Sequence, residues 1–275
     1  MLTAYRANPN YGPGPAEGSW AWKLEREIER QMHPRYAVVM NSGTAALHCA
    51  LAYLGLQPGD EVITSALTFS ATAAAIVMAG GTPRFADVDA ETFCITPKTV
   101  EPLMSSRTRA VLVVHLFGHV QEGWRLGSHA LIEDACQAVG CRGTLGYAGT
   151  LGMAGAYSFG SRKQVTAGEA GALVTDSPGA ALYARHMMNH AENFDRDFVG
   201  YNYRPNEATC KAALSSLKRL KHGTPFLKPY LVKRRGPGDK PYLSKHLGEY
   251  RAFRRYAVDP LPVTEWLVKE ALCVR

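Results

Sequence analysis

A chain of 275 residues can bury a large core, as one big domain with an appendage or as two modest ones. Apolar residues make up 46% of it but fall in short runs, none near the roughly 20 uninterrupted positions of a membrane helix, and Met1 to Pro15 lack the basic-then-apolar order of a secretory signal. A cytoplasmic protein with no membrane segment is expected.

The net charge of +7 lies wholly in the tail: residues 1–220 carry 19 basic and 19 acidic side chains, residues 221–275 carry 12 and 5. No recognition helix or base-stacking pattern accompanies it, which argues against a nucleic-acid reader and for a solvated face or attraction to a phosphorylated substrate.

In chain order, Trp20 to Met32 reads as a helix and Tyr36 to Met40 as a strand. Helix candidates at Thr44 to Leu54, Ser70 to Ala79 and Pro97 to Met104 then alternate with strands at Glu61 to Ser65, Pro83 to Asp87 and Arg109 to His115. Strands at Leu131 to Asp134, Ala156 to Phe159 and Ala172 to Thr175 follow, then helices at Ala180 to Ala191 and Pro205 to Leu220, the latter with Pro205 in its first turn.

Several strands are apolar at consecutive positions, as strands buried on both faces are, so the pattern predicts an α/β fold with a mostly parallel sheet and helices on both faces. Beyond Leu220, glycines and prolines break up any regular element before Tyr250, and a last helix is expected from Val263 to Leu272. The division is therefore a large domain over 1–220 and a basic lobe over 221–275.

The six cysteines form no CxxC pair and read as reduced thiols. His115 and His119 flank a strand end and make a weak case for a metal.

Three segments carry chemistry. Asn41-Ser42-Gly43-Thr44-Ala45-Ala46-Leu47 follows a strand and opens a helix, so its amides and the Thr44 hydroxyl can hold an anion; an ordinary turn capped by Ser42 or Thr44 is the plainer alternative. Glu133-Asp134 closes an apolar strand, at the carboxyl edge where open α/β sheets bind ligands, and strand alternation sends the two acids to opposite sides. Tyr157 to Gly171 runs from a strand end into a loop of small and hydroxylated residues around Lys163.

A phosphate-type turn, an acid at a strand end and a lysine in a small-residue loop, in that order, are what pyridoxal phosphate chemistry needs: an amine to attach the cofactor, an acid to keep the ring nitrogen protonated, and donors for the phosphate. Phe69 is the candidate for a ring face, though a core role would suit it equally.

From about Gly12 to Leu220 the chain resembles the DegT/DnrJ/EryC1/StrS sugar aminotransferases, which have the aspartate aminotransferase fold. The resemblance rests on Asn41 to Leu47, Pro58 to Ile63, Leu67 to Thr72, Gly81-Thr82-Pro83 with Asp87-Val88-Asp89, Val114 to Gly118, Glu133 to Ala138, Ser158 to Gly171 and Gly200-Tyr201-Asn202-Tyr203-Arg204.

It implies Lys163 as the Schiff-base lysine, Asp134 at the pyridine nitrogen, Gln137 near the ring hydroxyl and Phe69 on the ring face. Ser42, Gly43, Thr44 and Ser158 belong to the phosphate site, and Asn202 reaches a neighbouring subunit's phosphate, which implies a homodimer with shared sites. The implied reaction moves an amino group from an amino acid, glutamate or glutamine, to a keto sugar, free or nucleotide-linked, or a keto cyclitol. Other pyridoxal phosphate reactions and a non-catalytic partner or regulator are the alternatives.

The departures are Ala170 where the family has glycine, a short stretch between Gly118 and Leu131, and a reduced tail in which Pro262 to Trp266 resembles a late piece of the family's small domain.

Overall fold

The structure is a computed structural model and describes residues 14–191, 197–223, 228–231 and 245–274. Its centre is a seven-stranded sheet in the order β1-β7-β6-β5-β4-β2-β3. The strands are β1 (Tyr36–Met40), β2 (Glu61–Ser65), β3 (Thr82–Ala86), β4 (Thr108–Val114), β5 (Ala130–Asp134), β6 (Ala154–Ser158) and β7 (Gly171–Thr175). Only β7 runs against the rest, pairing antiparallel with β1 and β6, so the sheet is mostly parallel, as expected. Six strands thus end on one edge, after Met40, Ser65, Ala86, Val114, Asp134 and Ser158.

Period-two alternation divides the core into two layers. Val62, Ala110, Leu112 and Ile132 face one side, packed with α1 (Trp20–Met32), α2 (Gly43–Ala52), α5 (Pro178–Met187) and α6 (Glu207–Leu217). Ile63, Val111, Val113 and Leu131 face the other. There they meet Val100, which ends α4 (Pro97–Val100), and Leu267 of α7 (Pro262–Glu270). The remaining helix, α3 (Ser70–Met78), follows β2.

Edge strand β1 is closed by a helix rather than by another strand. Helix α1 buries Ala21, Leu24, Ile28 and Met32 at helical spacing and brings Glu25 and Glu29 to the outer rim of β1. Their carboxylates accept from the Val39 amide (3.0 Å) and the Ala37 amide (3.0 Å), and Glu25 is clamped by the Arg185 guanidinium at 2.9 and 3.1 Å. Unpaired edge amides are thereby satisfied.

The β4-to-β5 connection contains no α-helix. A short 3-10 turn (Leu116–Gly118), with Phe117 at φ 58°, leads into an extended run whose Trp124 and Leu126 pack on the second layer. Leu267, Val263 and Val268 of α7 pack on that same layer.

The end of the chain departs from expectation. Instead of an unbroken irregular stretch before Tyr250, β8 (Lys228–Leu231) pairs antiparallel with β9 (Ala271–Val274), and a 3-10 turn covers Leu247–Glu249. Helix α7 stops at Glu270, where the chain turns extended to pair with β8, rather than running to Leu272. Likewise α6 begins after an Asn206 cap, its side chain accepting from Thr209, so Pro205 lies outside the helix. The Gly- and Pro-rich stretch 232–244 lies outside the described residues.

Residues 245–270 return to the β3 side of the sheet. Leu247, Phe253 and Leu261 pack with Ala66, Ala73 and Phe85, and the Leu247 amide donates to the Ala66 carbonyl at 2.9 Å. Asp87, just past β3, caps α7: it accepts from the amides of Val263 and Thr264 (2.8 Å each) and from the Thr264 hydroxyl (2.6 Å). Arg84 joins Asp259 at 3.1 Å.

Candidate active site

The carboxyl edge of the parallel strands collects the chemistry-bearing residues. After β1, Ser42 caps α2, its hydroxyl oxygen accepting from the Ala45 amide at 3.1 Å. Gly43 begins the helix where a Cβ would sit 2.7 Å from the Cys136 sulfur and 2.9 Å from the Ser158 Cβ, so only glycine lets α2 start this close to the ends of β5 and β6. Its positive helix end is thereby set beside Ser158, with half-buried Thr44 in the first turn. Gly171 meets the same crossing from the other side, where a Cβ would run into the Gly43 nitrogen.

Asp134 ends β5 and is buried. Its Oδ2 accepts from the Thr72 hydroxyl (2.7 Å) and its Oδ1 from the Cys136 amide (3.2 Å). Ser158 ends β6, and its Oγ accepts weakly from the Gly160 amide at 3.4 Å. Lys163 lies in the following turn, its amide donating to the Gly160 carbonyl (3.0 Å) and its stem passing over Gly160. Burial raises the Cys136 thiol well above the usual thiol range; Asp134 pushes it the same way, and the Lys163 ammonium opposes. Cys136 therefore touches both the acid and the start of α2, and feels the charge of Lys163.

Gln137 is buried, its Oε1 accepting from the Phe117 amide at 3.3 Å. Phe69 stands just before α3 with 66% of its surface exposed, an uncovered ring next to the segment that reaches Asp134. Asn202 is exposed, while its carbonyl accepts from the Asn41 side chain at 3.1 Å, which ties the Gly200–Arg204 segment to the phosphate-type turn. Tyr203 secures that tie: its carbonyl accepts from the Asn41 amide (2.8 Å) and its hydroxyl meets His48 Nδ1 (2.9 Å).

The companion acid has the opposite environment. Glu133 is fully buried and accepts from His115 Nε2 (2.7 Å) and from the amides of Gly149 (2.8 Å), Leu151 and Gly152 (2.6 Å each). His115 accepts the Gln121 amide on Nδ1 (3.1 Å), so its proton is on Nε2 and both nitrogens are used within the protein. Among the described residues no cluster of His, Cys, Asp and Glu could hold a metal.

Ala170 is free of the backbone strain a departure from glycine could bring, because the positive φ of this loop, 83°, falls on Gly168. Sequence reasoning did not single out Thr72 and Thr68; their hydroxyls, four residues apart in Leu67 to Thr72, were the available signal.

A family model, the DegT/DnrJ/EryC1/StrS aminotransferase family, matches residues 15–224. The chain belongs to this family. Pyridoxal phosphate is the cofactor of the family, and the donors gathered here fit it: an incompletely satisfied acid, an amine and a helix start on one sheet edge.

GDP-perosamine synthase of Escherichia coli is 34% identical over 216 residues, 74% of this chain and 59% of that protein. The 3-oxo-glucose-6-phosphate:glutamate aminotransferase of Bacillus subtilis is 32% identical over 215 residues, 74% of this chain and 48% of that protein. The chain thus spans about half to three fifths of the length of these two relatives. A solved DegT DnrJ EryC1 StrS aminotransferase from Brucella abortus superposes with a TM-score of 0.84 at 23% identity, covering 94% of this chain and 85% of that one. An aminotransferase from Psychrobacter cryohalolentis superposes with a TM-score of 0.82 at 22% identity, covering 93% and 86%.

Among the described residues no helix is long and apolar enough to cross a membrane.

Proposed function

We propose that this chain is a pyridoxal phosphate-dependent aminotransferase that takes an amino group from glutamate or glutamine and delivers it to a keto sugar, free or nucleotide-linked, or to a keto cyclitol. The observation that carries the reading is one sheet edge that holds the buried Asp134, the start of α2 packed against Cys136 and Ser158, and the Lys163 turn that follows β6. The names of the sugar aminotransferases related to it support the substrate class.

When bound, the cofactor supplies an electron sink for the carbon that gains or loses the amine. Asp134 holds the ring nitrogen protonated. Lys163 would hold the cofactor through its amine and would be the base and acid that moves a proton at the substrate carbon. The α2 amides with Gly43, Thr44 and Ser158 bind the phosphate, the Ser42 hydroxyl holding that helix start in shape. Phe69 covers one ring face and excludes water from it, and Gln137 lies toward the ring hydroxyl.

Asn202 serves the phosphate of a second copy, which makes a homodimer the working form. Exposed Val199 and Tyr201, on either side of Gly200, support a surface that a second copy covers. In this reading residues 1–220 are the cofactor-binding domain and 221–275 a basic lobe that helps attract an anionic substrate, and the protein works in the cytoplasm.

The test is amino transfer from glutamate and from glutamine to a panel of nucleotide-linked keto sugars, read by mass spectrometry of the products. Amination that requires pyridoxal phosphate and disappears in Lys163→Ala is expected. A chain that binds the cofactor yet moves no amino group between any donor and any acceptor would contradict the reading.

A further inference from the structure

Thr72 is in the first turn of α3, fully buried, where a threonine commonly turns its hydroxyl back to a carbonyl three or four residues earlier. Here its Oγ1 instead lies 2.7 Å from Asp134 Oδ2, across a sequence separation of 62 residues. A carboxylate only accepts, so Thr72 donates. Its oxygen then needs a donor, and the buried Thr68 hydroxyl, 2.9 Å away, supplies one. The order Thr68 to Thr72 to Asp134 follows, each hydroxyl strengthening the next bond.

We propose that Thr72, backed by Thr68, is a positioning residue that sets the plane of the Asp134 carboxylate toward the cofactor's ring nitrogen. The inference rests on the reading of Asp134 given above. Two donors at different oxygens fix the plane: the Cys136 amide at Oδ1 and the Thr72 hydroxyl at Oδ2. Helix propensity does not require the hydroxyl, since alanine at this position would favour α3 more. Packing does not require it either, and a buried hydroxyl costs free energy unless it is bonded. The branched side chain is also stiff about χ1, which suits a clamp better than a flexible donor. The same short segment holds Phe69 outward, so one turn supplies both the ring cover and the hold on the acid.

The experiment is a pyridoxal phosphate titration, followed by the visible absorption of the bound cofactor, on wild type, Thr72→Val, Thr72→Ser, Thr68→Val, Asp134→Asn and the Thr72→Val/Asp134→Asn double variant. Thr72→Val should raise the dissociation constant about tenfold, the scale of one hydrogen bond to a charged group. Thr72→Ser should return to within about threefold of wild type, and Thr68→Val should lose about threefold, as a donor one step removed. In the Asp134→Asn background Thr72→Val should change affinity less than about twofold, because it acts through that carboxylate.

Unchanged affinity in Thr72→Val, no rescue by serine, or an undiminished effect in the Asp134→Asn background would each overturn the inference while leaving the cofactor reading intact. A wild-type chain that takes up no pyridoxal phosphate would overturn both. Should Thr72→Val fail to fold, Thr68→Val alone carries the test, and wild-type affinity in it would overturn the relay.

Discussion

Glu133 and Asp134 are consecutive acids at the end of one strand, both buried, and they have opposite fates. Glu133 receives four donors, the His115 ring and three loop amides, and so fills the roughly four acceptor sites of a carboxylate from within the protein. Asp134 accepts from the Thr72 hydroxyl and the Cys136 amide, with the Cys136 thiol also against it, and among the described residues no lysine or arginine forms an ion pair with it. A saturated carboxylate is a structural pin; an unsaturated one on the ligand-binding edge of the sheet is available for chemistry. Burial alone does not separate the two. Counting the donors around each acid does.

The largest expected effect comes from the unsaturated side. Lys163→Ala and Asp134→Ala should each lower turnover by about 10²–10⁴-fold, the scale of a lost acid–base group, with the fold retained by circular dichroism. Turnover close to wild type in either would end the assignment of the site.

Glu133→Ala should do the reverse. By stranding the His115 N–H and three amides it should cost about 3–5 kcal/mol in denaturant unfolding. A Glu133→Ala protein of wild-type stability would break the comparison.

Glu25 is a second buried acid held from within the protein, by the Val39 amide and the Arg185 fork, and Glu25→Ala should destabilise by about 3 kcal/mol. Urea midpoints for the two variants together test whether the number of internal donors predicts structural cost. A smaller loss, about 1–2 kcal/mol, is expected from Asp87→Ala, which uncaps α7, with hydrogen exchange rising first in Pro262–Glu270.

The smallest effect is on pH dependence. Burial lowers the proton affinity of His48 and His119 in the folded chain, whereas both titrate near 6.5 when unfolded. Protons therefore bind the unfolded state preferentially on acidification. The contribution of these residues is intact above about pH 6.5 and is lost as pH falls toward their lowered folded values. A His48→Asn variant should show a shallower loss of melting temperature between about pH 6.5 and 5.

The large sheet was legible because its strands are short apolar runs with marked ends, and the strand limits expected from sequence lie within two residues of those observed. The tail was not legible. Strand β8 gains its pairing from Ala271–Val274, some forty positions later, and no local pattern announces so distant a partner. The same pairing ends α7 before its apolar spacing runs out.

At the site, alternation along β5 correctly sends the two acids to opposite sides, but which acid stays unsaturated depends on the loop Gly149–Gly152 folding under Glu133. Thr72 was hidden for the same reason: its sequence position shows only the start of a helix, and its partner arrives from β5 through the sheet. Asn202 illustrates a third limit, since the Gly200–Arg204 segment meets the turn after β1 through the carbonyls of Asn202 and Tyr203, which their side chains do not encode.

The most direct test of the central claim is borohydride reduction of the purified chain with pyridoxal phosphate, followed by mass mapping of the labelled peptide. A visible absorption band that reduction abolishes, with the pyridoxyl mass fixed on Lys163, is the predicted result. No uptake of the cofactor, or a label spread over surface lysines with Lys163 untouched, would contradict it.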